Sequence, residues 1–243
     1  ISNIGAHQVN SVVNIASGTS NGMDDLGDVV ITGTFGTSTI DVSTTDKSAK
    51  GLAAAVNAVT SETGVSATAV TKIKLSDFSA ADTVSFTVNG TTTGAVAIAS
   101  ASDLRDLRDA INAIAGETGV SAALSGGQNS ALELTDIDGD DISIGSFSTT
   151  STANMRLTAL DKDGNTATDN DGGEDLVVLL EDTAAAPTTY VDAAAYTVTG
   201  QVTMSSDESY TLATTHDLTA AATAITQSPT ASALDTLTAD GEF

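Results

Sequence analysis

The sequence predicts an α+β fold that is mostly β, with two duplicated hairpin–helix–strand modules followed by an all-β domain. The segment GLAAAVNAVTSETGVSA at 51–67 returns as RDLRDAINAIAGETGVSA at 105–122. Apolar residues around both copies alternate with period two, which is typical of strands. Beyond residue 150 the helical period disappears and only strand patterns remain. A duplicated helix between strand patterns favours a sheet with helices on one face.

Each copy contains one amphipathic helix of about four turns, because its apolar residues recur at helical spacing. These residues are Leu52, Ala55, Val56 and Val59 in the first copy, and Leu104, Leu107, Ile111 and Ile114 in the second.

Both helices carry matching signals at their ends. Ser48 and Asp103 stand where an N-cap side chain accepts a free backbone N–H. Gly64 and Gly119 stand where a left-handed residue ends a helix, and the next residue is then expected to contact the last apolar turn. The expected contacts pair Val65 with Val59 and Val120 with Ile114.

An asparagine occupies the same position inside each helix, Asn57 in the first and Asn112 in the second. One interpretation is a tolerated surface residue, although Asn costs about half a kcal/mol relative to Ala in a helix. Its presence in both copies favours a structural role, in which each amide ties its helix to a neighbouring backbone segment. That role predicts buried, hydrogen-bonded side chains.

The strands of the modules follow from alternation and turn signals. The first module has strand patterns at 29–35 and 39–42, and the second has one at 84–88 that ends in the hairpin turn Asn89-Gly90 and returns at 95–98. The alternation further predicts that the pair Leu132 and Leu134 faces the pair Ile142 and Ile144 across the acidic turn DIDGDD.

The remaining chain is predicted as strands at 155–160, 174–182 and 196–214, the last folding back at SSDES, with a short helix at 218–225. The domain organisation that we expect has four parts: a strand segment at 1–26, a duplicated α+β domain at 27–150, an outer β-rich domain at 151–228 and a return segment at 229–243.

Composition excludes several functional classes. The formal charge is −24, and Lys162 is the last basic residue. Such a surface repels phosphate backbones and anionic lipid, so we expect neither nucleic-acid nor membrane partners. The chain has no cysteine, which excludes disulfides and thiolate metal sites. Because it starts at Ile1 with no leader pattern, we expect it to be a processed or excised piece.

No pattern predicts catalytic, cofactor-binding or metal residues. Gly18–Gly22 fits the G-x-S-x-G elbow around Ser20, but no helix pattern follows it. His7 and His216 are the only histidines, and no local pattern indicates that either is paired with a carboxylate. Two oxygen-rich turns depart from a calcium loop and are interpreted as solvated turns: Asp161, Asp163, Asn165 and Asp169, and Asp136, Asp138, Asp140 and Asp141. The sequon Asn89-Gly90-Thr91 is interpreted mainly as a hairpin turn.

The motif AVNAVTSETGVSA, repeated as AINAIAGETGVSA, resembles the IN motif of bacterial flagellins and flagellar hook-associated proteins. LELTDIDGDDISI at 132–144, IGAHQV at 4–9 and SALDTLTADG at 232–241 are also similar to flagellin segments. The resemblance implies a non-enzymatic structural protein, the surface-exposed central region of a flagellin, inserted between helices that form the filament core.

The same resemblance implies an extracellular location on the flagellar filament and other flagellin subunits as partners, with no small-molecule substrate and no cofactor. Two alternatives stay open at this point. One is a hook-associated or filament-cap protein, and the other is a calcium-dependent surface adhesin.

Overall fold

A computed structural model describes residues 7–11, 13–17, 28–42, 47–167, 177–181 and 195–214. This part of the chain is α+β and mostly β, as predicted. Its strands are β1 (His7–Asn10), β2 (Ile15–Ser17), β3 (Val29–Thr32), β4 (Thr37–Ile40), β5 (Ser66–Ser76), β6 (Asp82–Val88), β7 (Thr91–Thr92), β8 (Val96–Ile98), β9 (Ser121–Leu124), β10 (Leu132–Asp136), β11 (Ile142–Thr149), β12 (Met155–Leu160), β13 (Val177–Leu180), β14 (Ala195–Val198), β15 (Gln201–Ser206) and β16 (Thr211–Thr214).

Each predicted helix is present but is divided in two one turn before its end. The first copy forms α1 (Ala49–Ala58) and α2 (Thr60–Thr63), and the second forms α3 (Arg105–Ala113) and α4 (Ala115–Thr118). The backbone leaves helical geometry at Val59 (φ −108°, ψ 12°) and at Ile114 (φ −104°, ψ 4°). The Val59 N–H donates to the Val56 carbonyl, and the Ile114 N–H donates to the Ile111 carbonyl, both at 3.1 Å. A hydrogen bond to the third preceding residue makes the turn tighter than an α-helical turn.

The described strands form three antiparallel sheets. A seven-stranded sheet has the order β1-β15-β5-β10-β9, with β12 also paired to β5 and β13 paired to β12. A six-stranded sheet has the order β2-β14-β11-β6-β7, with β8 also paired to β6. The third sheet has the order β16-β3-β4.

Two hydrophobic cores correspond to the two modules. The smaller core includes Val29 and Ile31 of β3, Leu52 and Val56 of α1, and Val65. The larger core combines α3 with inward-facing residues of both large sheets. Strand β5 runs through both, since Ala67 belongs to the smaller core whereas Ile73 and Leu75 belong to the larger. The modules are therefore joined by a shared strand.

The predicted pairing across the acidic turn is wrong. Strand β10 pairs with β5 and β9, whereas β11 pairs with β6 and β14. The turn therefore connects two sheets instead of forming a hairpin. The predicted alternation itself is confirmed, because Leu132 and Leu134 of β10 and Ile142 and Ile144 of β11 are all buried in the larger core. Alternation indicates which face is buried but does not identify the neighbouring strand.

The late strands are found near the predicted positions, but their partners lie in the modules. β12 and β15 pair with β5, β14 pairs with β11, and β16 pairs with β3. SSDES thus separates strands of different sheets, and the expected boundary at residue 150 is crossed by these pairings. The helix expected at 218–225 and the return segment at 229–243 lie outside the described residues.

Candidate functional site

The repeated module is the feature of the chain with the clearest functional signal, and its helix starts are only partly alike. Ser48 caps α1 as predicted, since its Oγ accepts from the N–H of Gly51 at 3.1 Å. In the second helix the N-cap position falls on Leu104, one residue after the predicted Asp103, but the Asp103 carboxylate accepts the free Arg105 N–H at 3.3 Å as predicted. The same carboxylate also forms an ion pair with the Arg105 guanidinium, and its Oδ1 lies 2.8 Å from Nε. This hydrogen bond lowers the pKa of the Asp103 carboxyl.

The helix ends are nearly identical, as the sequence predicts. Gly64 and Gly119 adopt φ values of 78° and 77°, where a Cβ is strained. Val65 and Val120 follow them and are fully buried in the two cores, against which Val59 and Ile114 also pack.

A buried threonine completes each helix end. The Thr63 hydroxyl donates to the Val59 carbonyl at 3.0 Å and accepts from the Val65 N–H at 3.2 Å. Thr118 makes the same two bonds, to Ile114 and from Val120, both at 3.2 Å. The hydroxyl therefore satisfies backbone groups on both sides of the glycine. Sequence analysis missed this role, although the threonine of ETGVS is present in both copies.

Asn57 and Asn112 each bind the backbone of one strand residue through two hydrogen bonds. The Asn57 amide contacts the N–H and C=O of Ala67, both at 2.8 Å. Asn112 contacts Ala122 in the same way, at 2.8 and 2.9 Å. The predicted tie is confirmed, but the predicted burial is wrong, because both side chains are exposed. An amide can satisfy a strand edge at the surface, since its donor and acceptor match the two groups of one residue.

In both modules a hairpin tip contacts the end of the helix. In the first, the β3–β4 turn approaches so closely that a Cβ on Gly33 would lie 1.9 Å from the Thr63 carbonyl oxygen. In the second, the Asn89 amide donates to the Thr118 carbonyl at 3.0 Å and accepts from the Ser143 N–H at 2.7 Å. Both polar atoms of the sequon asparagine are thus engaged inside the module, which disfavours its use as a modification site.

The acidic turn, residues 136–141, lies between the two modules. The buried Asp136 carboxylate accepts backbone N–H groups from Asp138, Gly139 and Asp140 at 3.0 to 3.3 Å. Burial raises the pKa of this carboxyl. The Gly139 carbonyl accepts from the Lys50 N–H at 3.0 Å, at the start of α1. The Lys50 ammonium lies 2.7 Å from Asp140 Oδ2, which raises the pKa of the lysine. A turn of the second module therefore caps the helix of the first.

The other candidate residues do not assemble into a chemical site in the described part of the chain. Asp161 Oδ1 accepts the N–H groups of Asp163 and Asn165, each at 2.9 Å, as in a self-closed turn. No group of three or more His, Cys, Asp or Glu among the described residues is arranged to hold a metal ion. Within that same part, no helix has the length and apolarity to cross a membrane. Ser20, Asp169, His216 and the side chain of His7 lie outside what the structure describes.

Comparison with solved structures finds distant likeness to a flagellar cap protein. The chain is similar to the crystal structure of the D2-D3 domains of the flagellar cap protein FliD from Escherichia coli, with 14% identity and a TM-score of 0.23, over 80% of this chain and 97% of that one. For the D1-D2-D3 domains of the same protein the identity is 12% and the TM-score 0.22, over 84% of this chain and 57% of that one. No curated protein sequence matches the chain.

One segment of the chain matches the model of a known protein family. The flagellin hook IN motif matches residues 83–143, which extend from β6 to the start of β11 in the second module. The match covers one of the two copies that the sequence predicts; the first copy has the same helix end and asparagine tie in the structure but no motif match of its own. The family is structural and non-enzymatic, and the match supports a flagellar structural protein. Residues 83–143 thus match the flagellin hook IN motif.

Proposed function

We propose that this chain is the surface-exposed central region of a flagellin, which builds the outer surface of the flagellar filament through contacts with other flagellin subunits. The observation that carries the proposal is the IN motif at 83–143, together with a second, structurally equivalent module before it. Each module ends its helix with the same threonine hydrogen bond and ties it to the next strand through an asparagine. Duplication of such a unit enlarges a displayed region without requiring new chemistry.

The proximity of the early and late strands supports the proposal that this region is inserted into a longer protein. β1, the first described strand, is antiparallel to β15, and His7 lies opposite Ser206. β16, the last described strand, then pairs with β3. The early and late parts of the described chain therefore run side by side, which is the geometry that an insertion into a longer polymer-forming protein requires.

The second candidate is a hook-associated or filament-cap protein, because the matched motif is described as a hook motif. The two candidates differ in where the protein lies on the flagellum. Immunogold electron microscopy of the source bacterium, with antibodies raised against this chain, separates them. Label along the whole filament supports the flagellin.

Three other labelling patterns would contradict the proposal. Gold at the filament tip indicates a cap protein, gold at the hook–filament junction indicates a hook-associated protein, and gold on the cell body indicates an adhesin. Cells that lack the gene supply the control for non-specific labelling.

A further inference from the structure

The tip of the β6–β7 hairpin is an Asn-Gly pair, Asn89-Gly90, which is the sequence in which asparagine loses its side-chain amide most readily. In this reaction the backbone nitrogen of the glycine attacks the side-chain Cγ of the asparagine, and ammonia leaves. Water then opens the cyclic succinimide at either of its carbonyls, which gives aspartate or isoaspartate. One amide and one water are therefore converted to one carboxylate and one ammonia, with no other reactant.

The attacking nitrogen of this pair is free in the folded chain. In the described part of the sequence, the glycines that follow an asparagine or aspartate are Gly90, Gly139 and Gly164. The Gly139 N–H donates to Asp136 Oδ1 at 3.1 Å, and the Gly164 N–H donates to the Asp161 carbonyl at 3.0 Å. The Gly90 N–H has no such acceptor among the described residues, and a Cβ on Gly90 would meet nothing within 4 Å. Solvent therefore reaches this nitrogen.

The other reacting group, the Asn89 side-chain amide, is held between two elements. Its Nδ2 donates to the Thr118 carbonyl at the end of α4, at 3.0 Å, and its Oδ1 accepts from the Ser143 N–H on β11, at 2.7 Å. The turn itself is closed, because φ values of 47° at Asn89 and 82° at Gly90 match a type I′ hairpin turn. For Cγ to reach the Gly90 nitrogen, the amide must rotate, and both hydrogen bonds must break first.

Loss of the amide removes one of these two hydrogen bonds permanently. A carboxylate at position 89 still accepts the Ser143 N–H, but it has no donor for the Thr118 carbonyl and places an oxygen against it. Thr118 is buried, so its carbonyl does not gain water in exchange. Isoaspartate also adds a methylene to the backbone of a turn that has only two residues. Either product thus detaches the hairpin tip from the helix end.

We propose that Asn89 is a deamidation site that the folded second module keeps unreactive, and that it reacts when the hairpin tip separates from α4 and β11. The hydrolysis is not reversed in water, so the product keeps the tip detached. The site converts a transient local opening into a permanent change of the module. This chemistry belongs to the chain itself and does not depend on the proposed function.

Mass spectrometry of one tryptic peptide tests whether folding controls the reaction. Cleavage after Lys74 and Arg105 releases residues 75–105, in which Asn89 is the only side-chain amide, so a mass change from amide loss reports this residue alone. The full chain is incubated in mildly alkaline buffer, either folded or in denaturing guanidinium chloride, and sampled over time. We expect conversion to be at least about tenfold slower in the folded chain, because the open state is a minor population.

A second peptide from the same digest supplies the control. Residues 51–72 contain Asn57 as their only side-chain amide, and Ala58 follows it. Asn57 also makes two hydrogen bonds in the folded chain, but the Ala58 side chain hinders attack by its own backbone nitrogen. Asn57 should therefore stay intact in both conditions during the period in which Asn89 reacts in guanidinium chloride.

Two glycine variants locate the opening that permits the reaction. Gly119→Ala strains the residue that follows Thr118, and it should raise the conversion rate in the folded chain about fivefold. Gly116→Ala lies on the same segment, but its Cβ would meet nothing within 4 Å, so it should not raise the rate. Circular dichroism checks that both variants are folded.

Asn89→Asp reproduces one product of the reaction and tests its consequence. Backbone hydrogen exchange at residues 115–120 should become about tenfold faster than in the parent, because the buried Thr118 carbonyl has lost its donor. Gln128→Glu makes the same change from amide to carboxylate on an exposed side chain, and exchange at 115–120 should stay at the parent rate.

The proposal is overturned if Asn89 converts equally fast in the folded and unfolded chain, if it does not convert in guanidinium chloride, or if G116A accelerates conversion as much as G119A. Equal exchange at 115–120 in N89D and Q128E would refute the detachment of the tip. These outcomes are independent of the immunogold result, which concerns only the position of the protein on the flagellum.

Discussion

The side-chain amides of Asn57 and Asn112 each bind both the N–H and the C=O of one strand residue, Ala67 and Ala122 respectively. These two backbone groups point towards the helix, where no neighbouring described strand is present to bind them. Asn is the shortest side chain with one donor and one acceptor in a plane, and this matches the N–H and C=O of a single residue. The benefit exceeds the helix propensity cost of about half a kcal/mol, since each net hydrogen bond contributes about 1 kcal/mol.

We therefore expect Asn112→Ala to reduce the free energy of unfolding by about 1 kcal/mol, because two hydrogen bonds are lost and some propensity is recovered. Urea denaturation followed by circular dichroism measures the change. Glu117→Ala is the control, as an exposed substitution on the adjoining segment α4, and it should stay within about 0.5 kcal/mol of the parent. Equal stability of both variants would contradict a structural role for the amide.

Asp82 connects β6 to the segment between β11 and β12. Its carboxylate accepts from the N–H and hydroxyl groups of Thr150 and Ser151, and these hydrogen bonds hold its pKa far below the usual range. A group with a depressed folded-state pKa stabilises the fold above its unfolded pKa, and this stabilisation is lost as the pH falls through the folded pKa.

Asp82→Asn should accordingly lower the melting temperature at pH 7, and the difference from the parent should shrink as the pH falls below about 4, the ordinary carboxyl value. Differential scanning calorimetry across this pH range records both melting curves. A difference that stays constant down to pH 2 would mean that the ionised carboxylate is not what matters.

At the scale of elements, the helix ends are the most strongly specified features. The left-handed glycine, the threonine before it and the buried valine after it all act on the same three-residue turn. This local consistency is why the same pentapeptide ends both helices, although the sequences that precede it differ.

Gly119→Ala should cost about 1 to 2 kcal/mol, which is the penalty for a Cβ at positive φ. A further cost arises because the new Cβ would lie 2.8 Å from Asp136 Oδ2, so the buried carboxylate must move. Chemical denaturation compares this variant with Gly116→Ala, three residues earlier, where a Cβ meets nothing within 4 Å. That control should instead be stabilised by up to about 1 kcal/mol through helix propensity.

At the scale of the whole molecule, β5 couples the two cores. Its first half packs in the smaller core and its second half in the larger, and β15 and β12 pair with these two halves. The acidic turn adds a second connection through the Lys50 backbone and side chain.

We expect the two cores to unfold in a single transition, because neither can lose its part of β5 without exposing the other. Hydrogen exchange followed by mass spectrometry should show peptides from α1 and α3 losing protection at the same denaturant concentration. Gly64→Ala in the first module should shift both peptides together. Separate midpoints for the two helices would show that the modules are independent.

Local signals in the sequence were sufficient for the helices, their glycine ends, the Asn89-Gly90 turn and the apolar alternation of β6, β10 and β11. Each depends on residues within a few positions of one another, where propensity and periodicity act directly. The first helix cap and the asparagine ties were also predicted from position alone, although the exposure of the amides was not.

Strand partners were decided only by the tertiary structure. The alternation in β10 and β11 is the same whether they pair with each other or face one core from two sheets, and the structure has the second arrangement. Asp136 and Asp82 likewise acquire their roles from backbone groups supplied by distant or differently oriented segments. The sequence determined which faces are buried and where helices stop, because these are local free energies. Pairing is a competition among distant edges that only packing of the complete chain resolves.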